Sequence, residues 1–139
     1  MKTMLKITLE GESYLADLLW DEAPQTCKAY AEACPVESRI FSAKICDAEV
    51  TYPVPGPIAD FDLMENPKFD EPAGAVCWYG MWSSICIFFD ICEPFGTCNM
   101  FARVIERDRE RFAEACRAIW EKPGVLIRNE IVEIEDEEA

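Results

Sequence analysis

The sequence predicts a mainly β domain in which about eight strands close into a small barrel, with two α-helices beside it. The main evidence for this fold class is a pair of short apolar segments, 75–81 and 84–90. Both are rich in aromatic and β-branched residues, as buried strands are. Helical spacing of apolar residues marks one helix early and one late in the chain. Alternating apolar residues over 125–134 predict a final strand that completes the barrel.

The first elements follow from apolar spacing and from their flanking residues. Two strands are predicted at 4–9 and 13–19, on either side of a short acidic turn. Asp21 is then placed to cap a helix that tolerates Pro24 in its first turn and runs to about Cys34. The residues that we expect to face the core from these elements are Leu5, Ile7, Leu9, Leu15, Leu18–Trp20, Cys27, Tyr30, Ala31 and Cys34.

The second half of the chain is predicted to supply most of the barrel. Strands are expected at 36–46, 48–53, 75–81, 84–90, 100–106 and 125–134. The proline-rich connection 53–57 cannot join a central strand, 58–73 is expected to be mostly irregular with room for one short strand, and 93–97 forms a turn. A second helix is expected over 107–121. Its apolar face consists of Phe112, Cys116 and Ile119.

Composition restricts the possible functions. The 139 residues form one domain, 1–134, followed by a short acidic tail, 135–139. A net charge of −14 repels phosphate backbones and anionic lipid, so we expect neither a nucleic-acid partner nor a membrane partner. Because the chain lacks an apolar segment of about 20 residues and a signal-peptide core, we expect a cytoplasmic protein whose eight cysteines are thiols.

Several segments resemble the cyclophilins in sequence and in order. The segment 18–26 matches their strand-to-helix stretch with aspartate-x-alanine-proline, Phe88-Phe89 matches a phenylalanine pair, and 101–106 matches the strand before their second helix. The chain is more similar still to small uncharacterised cyclophilin-like proteins of bacteria and archaea, roughly from residue 4 to residue 134. This second likeness is carried by Cys46-Asp47-Ala48-Glu49-Val50, Glu65-Asn66-Pro67, Gly74-Ala75-Val76-Cys77-Trp78 and Cys86-Ile87-Phe88-Phe89. The resemblance implies a closed cyclophilin-like barrel with its two helices over the open ends.

The chain departs from the cyclophilins at the positions that perform their catalysis. The resemblance aligns their phenylalanine-histidine-arginine positions with Phe41, Ser42 and Ala43, and their glutamine with Ile87. That arginine stabilises the twisted X-Pro amide, which otherwise crosses a barrier of about 18–20 kcal/mol. The chain contains no histidine. We therefore expect no conventional prolyl isomerase activity, and we expect no cofactor.

Aromatic residues around the segment 78–82 are the main candidates for a binding groove, with an ordinary barrel core as the alternative. The candidate groove residues are Phe41, Tyr52, Trp78, Tyr79, Trp82, Phe88 and Arg103. Lys44, Asp47 and Glu49 are candidate polar contacts, because Asp47 and Glu49 have the i, i+2 spacing of one strand face. Asp60 and Asp62 repeat that spacing. A solvated acidic face is the alternative for both pairs.

The cysteines offer a weaker candidate site. Cys86, Cys92 and Cys98 are close in sequence and are compatible with a three-thiolate metal site or a disulfide. The cysteines of the two helices lie on apolar stripes, where a thiol acts as a small hydrophobe. A nucleophilic cysteine has little support, since no histidine is present to act as its base.

The sequence thus predicts a non-catalytic module that binds a small ligand, a peptide or a protein partner, a second copy of the chain included. Cyclophilin-like domains occur in ATP-dependent amide and lactam hydrolysis, as in bacterial 5-oxoprolinase, so the resemblance implies an accessory subunit of a cytosolic hydrolase or carboxylase complex. The alternative is an enzyme. It would be a divergent prolyl isomerase that uses Lys44 or Arg103, or a small-molecule enzyme that uses Asp47 and Glu49.

Overall fold

The computed structural model describes residues 1–54, 63–68, 70–93 and 96–138 of the chain. Its strands are β1 (Lys2–Leu9), β2 (Glu12–Leu18), β3 (Val36–Ser42), β4 (Glu49–Pro53), β5 (Pro67–Lys68), β6 (Ala75–Tyr79), β7 (Ser84–Phe88), β8 (Cys98–Val104) and β9 (Val125–Ile134). The helices are α1 (Pro24–Ala33) and α2 (Glu106–Ala118), and short 3-10 turns cover Gly80–Trp82 and Asp136–Glu138.

Eight of these strands close into an antiparallel barrel. Their order around the barrel is β2-β1-β9-β3-β4-β7-β6-β8, and β8 pairs with β2 to complete the circle. The two-residue strand β5 adds to β8 at Cys98 and Asn99. Closure leaves no long sheet edge unpaired, which removes the aggregation risk of an open sheet. The predicted fold class, a mainly β closed barrel with two helices, is confirmed.

Alternation along the strands decides which side chains fill the barrel. On β1 every second residue from Leu5 to Leu9 is buried, as predicted. On β2 the buried set contains Tyr14, which pairs with Ile7, whereas Leu15 is only partly buried. The expectation that Leu15 faces the core was wrong. Only one of two neighbouring strand residues can point inward, and the larger aromatic side chain takes that side.

Polar side chains meet inside the apolar barrel at one place. The hydroxyls of Tyr30 on α1 and Tyr52 on β4 both donate to Oδ1 of Asn129 on β9, over 2.9 and 2.8 Å. All three residues are buried. Burial raises the pKa of both tyrosines, so both hydroxyls keep their protons and remain donors. This interior cluster ties α1 to two strands of the barrel, β4 and β9.

Helix α1 begins with a cap that comes from a distant loop. Its N-cap residue is Ala23, which provides no side-chain hydrogen bond, so the predicted cap at Asp21 was wrong. The carboxylate of Glu65 instead accepts the backbone N–H groups of Gln25 and Thr26, at 3.1 and 2.7 Å, and the Thr26 hydroxyl at 2.8 Å. Partial burial acts to raise the pKa of Glu65, but these hydrogen bonds together lower it.

The Glu65-Asn66-Pro67 motif has a structural role. The Asn66 side chain donates to the carbonyl of Met100, and its backbone N–H donates to the Asn99 side chain, both at 3.0 Å. Asn99 in turn donates to the Thr26 hydroxyl at 2.9 Å. The motif therefore fastens the loop before β5 to both α1 and β8.

Helix α2 packs its predicted apolar face against the barrel. Phe112 is fully buried and meets the ring of Tyr14 edge-on, with centroids 4.9 Å apart. The carboxylate of Asp108 accepts the backbone N–H of Leu15 at 2.9 Å, which anchors the first turn of the helix to β2. No helix in the described part of the chain is long and apolar enough to cross a membrane.

Some predicted boundaries differ from the observed ones. Strand β3 ends at Ser42 rather than at residue 46, because the chain turns away there before β4 begins. The segment predicted as the end of one strand at 80–81 forms a 3-10 turn instead. Residues 55–57 of the predicted stiff connection, the pair Asp60 and Asp62, and residues 94–95 of the predicted turn at 93–97 lie outside the described residues.

Candidate functional site

A row of polar and thiol side chains lies on the outer face of the barrel wall. Thr51 on β4 pairs with Cys86 on β7, and Cys86 pairs with Cys77 on β6. Directly opposed residues of antiparallel strands share a face, and this face is opposite to the one that carries Tyr52 into the barrel. Both cysteines are nevertheless buried, because loops cover this part of the wall.

A pocket of about 120 Å³ opens onto that face, and we call it the outer-wall pocket. The turn 43–46 forms one side of it. Six side chains from the barrel wall and the 3-10 turn complete the lining: Glu49, Thr51, Tyr79, Trp82, Cys86 and Cys98. The rings of Tyr79 and Trp82 are stacked with centroids 4.8 Å apart and planes 16° apart. The pocket thus combines an aromatic side with a polar floor.

Glu49 gives the outer-wall pocket a negative charge in a poorly solvated place. Its side chain is only 8% exposed, although it is an acidic residue at a strand start. Burial, and next the charge of Glu49, raise the pKa of the adjacent Cys86 thiol. Cys86 therefore stays protonated beside the carboxylate. Thr51 directs its hydroxyl to the carbonyl of Ile85 at 2.9 Å.

A second carboxyl group is buried next to this region. Glu71 is 0% exposed; its Oε2 lies 3.5 Å from the Cys77 thiol, and its Oε1 has no hydrogen-bond partner among the described residues. Burial raises the pKa of Glu71 to about 7, with a smaller contribution in the same direction from Glu49. Glu71 and Cys92 also pair through their backbones, at 3.1 and 3.4 Å. The outer wall therefore holds two carboxyl groups in a cluster of protonated thiols.

A second cavity, of about 220 Å³, adjoins the first at Tyr79. It is mostly apolar and is lined by residues 63–64, 78–81 and Thr97. Trp78 forms part of it, and the indole N–H of Trp78 is buried without a hydrogen-bond partner. Gly96 approaches the Tyr79 hydroxyl so closely that an added Cβ would lie 3.0 Å from it. Tyr79 is thus held between the two cavities.

The structure brings together some of the candidate residues named from sequence. Lys44, Glu49, Tyr79 and Trp82 all line the outer-wall pocket. Trp78 lines the adjoining cavity.

Four other candidate residues lie elsewhere. Phe41 is exposed on the same outer face, where it pairs with Thr51. Tyr52 and Phe88 are fully buried, Tyr52 in the interior cluster. Arg103 donates through Nε to the carbonyl of Ala73 at 3.0 Å and does not line the outer-wall pocket.

The two carboxylates that the sequence analysis paired, Asp47 and Glu49, differ in their exposure to solvent. Asp47 lies exposed in the turn before β4, whereas Glu49 is the first residue of β4 and is buried. The expectation that they share one strand face was wrong, because the strand begins two residues later than the spacing requires. Only Glu49 reaches the pocket.

The three candidate metal-binding cysteines do not share one site. Cys86 and Cys98 line the outer-wall pocket, while the Cys92 thiol lies 3.7 Å from the backbone carbonyl of Glu93. Among the described residues, no three histidine, cysteine or acidic side chains are grouped so that they could hold a metal ion. All eight cysteines are free thiols.

Sequence reasoning missed several residues of this region. Thr51 and Cys46 carry no signal in the sequence beyond their place in or near a strand. Glu71 lies between Asp70 and Pro72 in a segment predicted as irregular, and this context indicates a solvated residue rather than a buried one. Cys98 was found only as part of the metal hypothesis. The row Thr51, Cys86 and Cys77 becomes visible once the strand register is known.

Comparison with known proteins gives a family without a described activity. The family model "Protein of unknown function (DUF3830)" matches residues 5–128. The chain belongs to the DUF3830 family. No curated protein matches it in sequence.

Two solved structures share the fold. "Structure of McbB in complex with tryptophan" aligns with a TM-score of 0.81 and 16% identity, and covers 97% of this chain and 47% of that one. The solution structure of the hypothetical protein AF2241 from Archaeoglobus fulgidus aligns with a TM-score of 0.65 and 20% identity, and covers 93% and 94%. This chain therefore spans about half the length of McbB. The closed eight-strand barrel is compatible with the resemblance to cyclophilins.

Proposed function

We propose that this DUF3830 protein is a non-catalytic module that binds a small ligand in the outer-wall pocket. The observation that carries the proposal is the pocket itself, which is lined by a stacked Tyr79–Trp82 pair together with the buried Glu49. Binding sites commonly join an apolar or aromatic wall to a few placed polar groups. A buried carboxylate has a desolvation cost that a purely structural residue would avoid.

Binding without a chemical step is favoured by the state of the thiols. Burial is the largest cause of the raised pKa values of Cys77, Cys86 and Cys98, and nearby carboxylates raise them further. A protonated thiol is a poor nucleophile, and the chain has no histidine that could deprotonate one. The candidate catalytic arginine, Arg103, is directed to a backbone carbonyl.

The structural neighbour with a bound amino acid supports a ligand-binding role. McbB was solved in complex with tryptophan, so a protein that contains this fold can accommodate a small organic molecule. At 16% identity, and with 47% of that chain covered, the likeness supports only the type of fold. The ligand of this chain has to be inferred from the residues of its own pocket.

The experiment is a screen of small metabolite-like fragments by ¹H–¹⁵N correlation NMR. We expect at least one fragment to shift the amide resonances of Thr51 and Tyr79 in a saturable way. Trp82→Ala should weaken that binding by roughly fivefold, because it removes half of the aromatic wall. Trp20→Ala, which removes another exposed tryptophan, is the matched control and should not change it. A screen without such a fragment, or equal losses in both variants, would refute the proposal.

A second candidate function is that of an accessory subunit, and the surface around the pocket mouth favours it. Ile45 is 75% exposed and Trp82 is 54% exposed, and both line the pocket entrance. Phe41 and Met81 are exposed as well. Exposed aromatic and aliphatic residues of this kind are typical of protein interfaces. Co-purification of the protein from its native host, with an Ile45→Lys variant that should lose any partner, tests this function.

A further inference from the structure

We infer that the ligand of the outer-wall pocket is a small organic molecule with a primary ammonium group, which pairs with Glu49 beside the Tyr79–Trp82 stack. The inference rests on the proposed function and names the chemical class of its ligand. It depends on the charge of the pocket, on its aromatic wall and on its size.

Among the residues that the structure describes, no cation forms an ion pair with Glu49. Its neighbour Cys86 is a neutral thiol, which is a weak donor for a carboxylate. A buried carboxylate is stabilised when a cation with N–H donors reaches it, because a charge-assisted hydrogen bond then replaces the lost water.

Lys44 could in principle supply that cation, but it is engaged elsewhere. Its side chain lies at the rim of the pocket, with Nζ 4.2 Å from the ring centroid of Trp120. Glu49 therefore lines the pocket without an ion pair to Lys44 or to any other described cation. Glu71, buried behind the same wall, contributes further negative potential when it is ionised.

The aromatic wall suits the same chemistry. Cations within about 6 Å of an aromatic ring centroid are attracted by its negative face, most strongly when they are removed from water. Tyr79 and Trp82 supply two such rings to the lining of the pocket that Glu49 also lines. A carboxylate or phosphate ligand would be repelled by Glu49. It would also be repelled by the protein as a whole, whose net charge is −14.

The size of the pocket limits the ligand to a few heavy atoms. Its volume of about 120 Å³ is smaller than the roughly 300–1,000 Å³ of sites for drug-sized molecules. A simple alkyl ammonium ion is therefore a suitable probe.

The test compares three probes of equal length at neutral pH by ¹H–¹⁵N NMR: n-butylammonium, 1-butanol and butyrate. We expect n-butylammonium to shift the Thr51 and Tyr79 amides in a saturable way, and the alcohol and the anion to bind at least tenfold more weakly. Glu49→Gln should weaken n-butylammonium binding roughly tenfold or more. Asp47→Asn removes one exposed carboxylate two residues away and is the matched control, with no change expected.

The outcomes separate the ligand class from the proposed function. If 1-butanol or butyrate binds as well as n-butylammonium, or if Glu49→Gln and Asp47→Asn behave alike, the ammonium assignment is wrong while the pocket still binds. The same holds if fragments from the screen bind but n-butylammonium does not. If no probe and no fragment shifts the pocket amides, the proposed function fails with it. The comparison of probes on the unaltered protein stands even if Glu49→Gln does not fold.

Discussion

The barrel interior and the outer-wall pocket each contain a buried polar cluster, and the two clusters differ in charge. In the interior, Tyr30 and Tyr52 share the side-chain oxygen of Asn129. On the outer wall, the carboxyl groups of Glu49 and Glu71 lie among thiols. Each cluster leaves a polar atom unpaired, the amide nitrogen of Asn129 in one and an oxygen of Glu71 in the other.

The two clusters respond differently to pH. The interior groups keep one protonation state over the physiological pH range, so the cluster contributes the same stability at every such pH. On the outer wall, burial raises the pKa of Glu71 to about 7, so its charge changes within the physiological pH range. Groups of that kind are concentrated at functional sites.

The largest expected effect breaks the interior cluster. Asn129→Ala removes the acceptor that two buried hydroxyls share. We expect a loss of about 3–5 kcal/mol in the free energy of unfolding, since each unsatisfied buried group costs about 1–3 kcal/mol. Urea denaturation measures it. Leu126→Ala, an exposed site on the same strand, should cost less than about 0.5 kcal/mol. A small effect at Asn129 would mean that the cluster does not hold α1 to the barrel.

The next prediction concerns the pH dependence of stability at the outer wall. The pKa of Glu71 is about 7 in the folded protein against 4.5 as the ordinary value, so folding favours its protonated form. Its contribution to stability is complete below about pH 4.5 and is lost as pH rises through 7. This loss is on the order of 3 kcal/mol, because each pKa unit corresponds to about 1.4 kcal/mol.

Glu71→Gln should remove this pH dependence. The amide mimics the neutral acid, so the variant should be more stable than the unaltered protein at pH 8 and similar to it at pH 4.5. Thermal melts across this pH range measure the difference. Asp47→Asn removes an exposed carboxylate that is not among the charges acting on Glu71, and it should leave the pH profile as it was. A variant that is less stable than the original at pH 8 would show that ionised Glu71 stabilises the fold.

The smallest expected effect is on catalysis. If the outer wall binds without reacting, the protein should leave the isomerisation of a proline-containing peptide at its uncatalysed rate in a protease-coupled assay. Arg103 is occupied by the carbonyl of Ala73, and Lys44 by the ring of Trp120. Arg103→Ala and Lys44→Ala should therefore change nothing. Acceleration that disappears in either variant would favour the divergent isomerase instead.

Part of the candidate site could be predicted from the sequence. The segment 78–82 was identified by its dense aromatic residues, and two of them, Tyr79 and Trp82, line the outer-wall pocket. Glu49 was named together with Asp47, and only the start of β4 distinguishes them. Tyr52 and Phe88 are aromatic, as residues of a binding groove often are. In the structure, however, Tyr52 donates to Asn129 and Phe88 is fully buried.

By itself, the sequence determined the barrel strands and the two helices. These follow from local information, because alternation, helical spacing and residue identity can be read along a single stretch of chain. The tertiary structure alone decided that Glu65 caps α1, that Glu71 is buried beside the Cys77 thiol, and that Glu49 lines one pocket with the stacked Tyr79–Trp82 pair. Those facts depend on which loops cover which strand face, and barrel closure sets that by joining segments that are far apart in sequence.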